Sequence, residues 1–303
     1  MDAVAFSILA AFGFASSAVL SRQGLQAVFP LPGVMVSLIF SFLFTGIMAL
    51  LFAFSDIGSI PQAALLWILG LGIVNYFGGR TQNFLSVNLI GASRASLFVA
   101  SQAPFAALFA VAFTGESLHL LVGLGTAGVV GGLIFASGTS ILEGWRGDKI
   151  FVLGYLMALG AGASYGATNV MAKQTLEVFD SPLVITMLSM LVGMLVLAPL
   201  VGASTAHSGV HREKGQGFSK NLWSLRWVAL AGIASGIAVI SLYFAVQRAD
   251  VVVISPIVSS SPLITLFLAH VFLTRLERVT KRLLFGALLA VGGVVLVVIG
   301  NQL

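Results

Sequence analysis

The runs SQAPFAALFA, residues 101–110, and SSSPLITLFL, residues 259–268, lie in different halves of the chain and share one plan. Each opens on serine, places a proline at its fourth position (Pro104, Pro262) and continues as an apolar stretch. A proline inside a helix has no N–H to bond back and crowds the carbonyl four residues earlier. Both runs therefore predict a helix interrupted at the same depth, with the carbonyls of Ala100 and Val258 freed. The nearest groups able to serve them, or a substrate, are Ser101, Gln102, Ser259 and Ser260. A serine bonding back to its own helix is the structural alternative for each. Pro256 adds a second break to the later run, so Pro104, Pro256 and Pro262 are candidate hinges or static kinks.

The correspondence extends outward from these runs. SSAVLSRQGLQ, residues 16–26, matches ATNVMAKQTLE, residues 167–177, pairing Arg22 with Lys173. WILGLGI from Trp67 matches WVALAGI from Trp227, and Glu116, Gly131 and Gly132 match Glu277, Gly292 and Gly293. Windows of about 20 apolar residues, the length of a spanning helix, fall at 3–21, 33–54, 63–87, 93–114, 118–139, 150–173, 182–202, 225–247, 250–273 and 282–300. Five spans per repeat is an odd number, so the second repeat enters the membrane upside down. The expected architecture is an all-α membrane protein of ten transmembrane helices in two inverted five-helix repeats, residues 1–145 and 146–303, with a polar loop over 203–224. Inverted repeats are characteristic of secondary transporters, which bind substrate near the midplane between the halves.

Composition agrees. Of 303 residues 58% are hydrophobic and only 8% charged, against about 25% charged in soluble domains. Mean hydropathy is +1.07. Such a chain lacks the polar surface to cover a water-facing globule. There is no cysteine, which removes disulfides and thiolate metal sites. The formal charge of +5 is dispersed over short connections, unlike a nucleic-acid face. Asp2 stands where a cleaved signal carries basic residues, so the first apolar run is expected to remain as a span.

NLIGASRASLFVASQAPFAALFAVAFTGESL, residues 88–118, and its echo RADVVVISPIVSSSPLITLFLAHVFLTRLER, residues 248–278, together with the 5+5 arrangement, resemble the drug/metabolite transporter superfamily, EamA type. The resemblance covers the whole chain. Its motifs are a mid-helix proline, a helix-end glutamate (Glu116, Glu277) and glycine-rich fifth and tenth helices. It implies a ten-helix transporter fold with both termini inside the cell, and says little about the substrate.

NYFGGRTQNF, residues 75–84, sets an arginine within the third span. Arginine at a bilayer centre costs about 2.5–3.5 kcal/mol on insertion scales, so it normally faces a polar interior. Tyr76, Arg80 and Asn83 follow i, i+4, i+7 and form one stripe. Substrate binding or gating at Arg80 stands beside two structural readings, snorkelling to the interface and capping a neighbouring helix. Weaker polar stripes are Tyr165 with Asn169 in span six and Tyr243 in span eight. All ten acidic residues fall in connections or at span ends. A cation exporter or proton-driven pump usually needs a carboxylate inside the membrane. Its absence, with Arg80, favours a zwitterionic or anionic metabolite such as an amino acid or organic acid, exported or exchanged by alternating access. The alternatives are a proton-coupled drug/metabolite efflux pump, for which His270 is the candidate proton site, and a channel-like or scaffold membrane protein. An enzyme is not expected, because no paired mid-span carboxylates or His/acid cluster occur. No cofactor or metal is expected: His207 and His211 have i, i+4 spacing, but in a loop. The partners implied are a small-molecule substrate and the lipid bilayer, in the plasma (inner) membrane. The glycines of spans five and ten suit close helix packing, in one chain or in a homodimer.

All Lys and Arg except Arg80, Lys173 and Arg248 lie on the side opposite the termini. The positive-inside rule puts that side in the cytoplasm and both termini outside, against the orientation the resemblance implies. The charge count predicts that alkaline phosphatase fused after Leu303 is active and a fluorescent protein fused there is dark. The converse pattern reverses the orientation.

Overall fold

In the computed structural model, residues 2–114, 120–137, 149–210, 222–248 and 257–300 are described, and all their regular elements are helical. The first repeat comprises α1 (Asp2–Gly24), α2 (Pro30–Phe52), α3 (Gln62–Ile90), α4 (Ala92–Val99 continuing as Gln102–Thr114) and α5 (Leu120–Ser137). The second comprises α6 (Lys149–Val178), α7 (Pro182–Val210), α8 (Leu222–Val246), α9 (Ser261–Phe272) and α10 (Lys281–Gly300). Seven of these are long and apolar enough to cross a membrane, with shorter apolar helices at Leu120–Ala136 and Ser261–Phe272. Helices are the form lipid permits, because each backbone polar group is satisfied within its own segment. Large apolar side chains such as Phe52, Leu66, Trp223 and Phe285 are exposed on the outside, as a lipid-facing surface requires.

Neighbour relations obey the repeat. α1 packs on α8 as α6 packs on α3; α2 meets α8 as α7 meets α3; α1 meets α9 as α6 meets α4. α2 with α7 and α5 with α10 join equivalent helices across the pseudo-twofold. Four corresponding small residues set two of these crossings. A Cβ on Gly232 of α8 would strike the Ser37 carbonyl of α2, and one on Gly72 of α3 would lie 2.8 Å from the Ser189 carbonyl of α7. The glycine rows of α5 and α10 face each other within one chain. A Cβ on Gly132 would sit 2.7 Å from the Gly286 carbonyl, and one on Gly293 would sit 2.6 Å from the Gly125 carbonyl. A homodimer through these spans would therefore use their outer faces.

The interrupted helices fall where the prolines put them. α4 breaks at Ala100–Ser101, three residues before Pro104, and α9 begins its regular helix at Ser261 with Pro262 in the first turn. Pro256 lies outside the described residues, as do Glu116 and His211. Two expectations are revised. The helix α7 continues through Pro199 to Val210, so the first part of the expected polar loop, His207 included, is helical. The third span is not a uniform α-helix: Gly72–Arg80 is π-helical. There Thr81 directs both its N–H and its hydroxyl to the Tyr76 carbonyl, five residues back. π-segments inside α-helices occur often at functional sites.

Candidate functional site

The π-segment carries Tyr76 and Arg80 into the space between the repeats. Arg80 is 5% exposed. Its Nη2 donates to Ser37 Oγ at 2.6 Å and Ser41 Oγ at 3.2 Å, and its Nη1 donates to Ser235 Oγ at 3.0 Å. Ser37 and Ser41 are one turn apart on α2, and Ser235 lies one turn beyond Gly232 on α8. The missing side chain at Gly232 lets the two helices come close enough for all three hydroxyls to reach one guanidinium. Ser41 also donates to the Gly232 carbonyl at 2.5 Å, tying the two helices together directly. The Phe84 ring centroid lies 5.9 Å from the guanidinium carbon.

What the cradle lacks matters as much. Among the described residues no carboxylate comes within ion-pair distance of Arg80; the one ion pair found is Arg22 with Glu277, elsewhere. The buried Nε of Arg80 has no hydrogen-bond partner among them. The three hydroxyls stand in for water around the cation without neutralising it. Leaving such a charge unpaired in a low-dielectric interior costs several kcal/mol.

Two tyrosines meet at the same point, and a third interacts with one of them. Tyr76 is buried against Gly193 of α7, where a Cβ would come within 2.5 Å of it, and its side chain interacts with Ser189 and Arg80. Tyr165 of α6 lies on Gly79, 2.5 Å from where a Cβ would stand, and interacts with the Arg80 charge and with Asn83. Tyr243 of α8 is buried and interacts with Tyr76. Two of the four tyrosines in the chain, Tyr76 and Tyr165, thus lie near the single arginine in the middle of a span, and Tyr243 interacts with the first of them. The glycine pair at 78–79 admits a neighbouring helix, α6.

Other candidates stay apart. Ser101 is buried against Gly162 of α6, its hydroxyl without a partner among the described residues, and the Gln102 carbonyl packs on Gly166. These residues seat the break of α4 on α6 and make no bond to Arg80. The Ser260 hydroxyl donates to the Ile257 carbonyl at 2.6 Å, within its own turn; Ser259 is half-buried and Asn169 exposed. His270 is exposed in the last turn of α9, so it is not the inward mid-span group expected of a proton site. The letters GASYG, residues 162–166, spell a nucleophile-elbow pattern, but they lie within continuous helix α6 rather than at a strand–helix turn.

The polar interior expected around Arg80 is built of serine hydroxyls rather than of an open chamber. The guanidinium is enclosed by packed helices, because serine hydroxyls solvate it in place. A cavity of about 490 Å³ opens instead towards the face where α1 begins and α10 ends, lined by residues that include Met48, Phe52, Asp56, Asp180, Ile240 and Gln247. Ile240 is five residues along α8 from Ser235, roughly 7.5 Å of helical rise. Ser37, Ser41 and Ser235, which bind Arg80, and Ser189, which interacts with Tyr76, are residues of this candidate site that the sequence reading missed. Their signal was present: Ser37, Ser41 and Thr45 follow i, i+4, i+8 on α2, and Gly232, Ser235 and Gly236 are small residues on one face of α8.

The EamA-like transporter family matches the chain over residues 1–138 and 152–299, one match per repeat. A solved structure titled "Crystal structure of protein" shares 18% identity with a TM-score of 0.64, over 99% of each chain; it supports the fold alone. No curated protein matches.

If Arg80 is held for binding rather than for folding, Arg80→Met should leave the melting temperature of the purified protein within a few degrees or raise it, since no carboxylate is stranded. Ser37→Ala, which leaves a guanidinium N–H without its closest acceptor, should destabilise by about 1–3 kcal/mol. Scanning fluorimetry checks both, and a collapse of Arg80→Met would make the arginine a structural bolt.

Proposed function

The chain belongs to the EamA-like transporter family, and from that premise we propose that this multi-pass membrane transporter moves a small zwitterionic or anionic metabolite, of the amino-acid or organic-acid kind. It does so as an exporter or exchanger working by alternating access in the plasma (inner) membrane. The observation that carries the reading is the uncompensated charge of Arg80, buried between the repeats and held by hydroxyls alone.

The donor set fits an anion. Ser37 and Ser235 accept from Arg80, and among the described residues neither gives its own hydrogen to another group. With the free Nε–H, they offer three donors around a positive charge. A carboxylate suits that set, because charge-assisted bonds to it are short and strong. Tyr76, Tyr165 and Tyr243 would border the rest of the solute with amphipathic ring surface. The location supports alternating access: the cradle joins α2 and α3 of one repeat to α8 of the other, so a movement of one repeat against the other must remake it. No acidic side chain of the described residues lies inside the bilayer core to bind an organic cation or relay protons, which favours facilitated export or exchange over proton antiport.

Counterflow in proteoliposomes tests the reading. Liposomes loaded with a mixture of unlabelled amino and organic acids should accumulate the matching labelled solute transiently, as a carrier does and a pore does not. Arg80→Ala should lower that flux by about a hundredfold or more while reconstituting normally. Undiminished flux with Arg80→Ala would remove the arginine from the pathway.

A further inference from the structure

On the face opposite the cavity, a second set of charges joins the two repeats. Glu277, in the connection between α9 and α10, reaches into the first repeat. Its Oε1 accepts the Ala92 N–H at 2.6 Å and its Oε2 accepts the Ser93 N–H at 3.0 Å, which caps the start of α4. The approach needs Gly91: its φ is +89°, and a Cβ there would stand 2.7 Å from the carboxylate. From the other side Arg22, at the end of α1, lies 3.4 Å from Glu277 through Nε and donates through Nη1 to the Val87 and Asn88 carbonyls at 3.1 and 2.8 Å. A cation on the last carbonyls of α3 and an anion on the first amides of α4 each suit the helix end they meet. The two side chains are only 16% and 9% exposed, so solvent screens them little.

We propose that this cluster is the latch that holds the pathway shut on the face opposite the termini, and that the structure is the state open towards the terminal face. The inference rests on the alternating-access reading above and adds which residues set its equilibrium. Three observations converge. Glu277 belongs to one repeat and every group its carboxylate binds belongs to the other. α9 packs on α1 and α4 at this side. The cavity between α2, α8 and the α6–α7 connection lies at the far end, with polar groups at its mouth: Ser181 donates to Asp56 at 2.7 Å and Gln247 to Asp180 at 2.9 Å. Opening the latched side strips the carboxylate of two backbone donors and one ion-pair partner in one movement, which makes the arrangement two-state rather than gradual. Removing part of that attraction must shift the population towards the state without it.

The chain contains no cysteine, so an introduced thiol is the sole target of a hydrophilic maleimide. Ser93→Cys reports the latched side: Ser93 is 3% exposed, and its backbone N–H, which binds Glu277, is kept. Gln247→Cys reports the cavity, where the native residue is exposed. Rates are measured on the full chain in nanodiscs without substrate. With the latch intact, Ser93→Cys should label slowly and Gln247→Cys fast. Adding Glu277→Gln should speed the first about tenfold and slow the second. Arg22→Gln, which leaves both backbone caps in place, should move both in the same directions and decides the matter alone if Glu277→Gln does not fold. Equal acceleration at both sites would make the cluster a fold pin only, and unchanged rates would mean it controls no opening; either overturns the latch. Arg80 is untouched and no solute is present, so failure here leaves the anion site standing, and failure of Arg80→Ala to lower transport leaves these rates interpretable.

Discussion

One unneutralised guanidinium organises the interior of this protein. Arg80 has three hydroxyl acceptors and no carboxylate among the described residues. A carboxylate partner would give a stronger local pair but a closed one. Hydroxyls lower the cost of burial while leaving the net charge in place, and a charge left in place attracts an anion. The requirement that three serines reach one side chain explains the other local features. Gly232 brings α8 onto α2, and Gly78 and Gly79 admit α6. The π-segment adds a residue to the turn that delivers Arg80 and Tyr76 to the repeat interface.

The repeats use the same crossing twice and equip it differently. Ser37 meets Gly232, and its counterpart Ser189 meets Gly72. In one crossing the serine holds Arg80; in the other it interacts with Tyr76, which also interacts with the arginine. A symmetric scaffold thus surrounds an asymmetric centre, one cation with no counterpart: the residue equivalent to Arg80 by the Trp67–Trp227 match is Ile240, which lines the cavity instead. In the proposed alternating-access cycle the two repeats exchange roles about the pseudo-twofold while the solute meets the same charge in both states.

Much of this was legible in residue patterns. Twenty-residue apolar runs and the paired prolines gave the spans, the inverted repeat and the breaks in α4 and α9. Arg80, Tyr76, Asn83 and Tyr165, which the structure brings together, stood out in the sequence because a charge, phenol hydroxyls and an amide contrast with an apolar background. The serines of α2 and α8 were missed for the converse reason: serine is common in membrane helices, where it usually bonds its own backbone, and only the three-dimensional crossing at Gly232 assigns Ser37, Ser41 and Ser235 to one cation. His270 shows the opposite error. It lies inside an apolar run, but α9 ends two residues later, at Phe272, which puts the imidazole at an exposed helix end. Glu277 stands out in the sequence only as a helix-end glutamate; the backbone groups its carboxylate binds are some 185 residues away, beyond what local pattern can show.

The most direct test is binding in the absence of transport. Purified wild-type protein and Arg80→Met are melted with a panel of zwitterionic, anionic and cationic metabolites. If Arg80 is the anion-binding group, at least one carboxylate-bearing solute at saturating concentration should raise the wild-type melting temperature by on the order of 5–10 °C and leave Arg80→Met unmoved. Stabilisation by cations alone, or equal stabilisation of both proteins by the same carboxylate, would contradict the account.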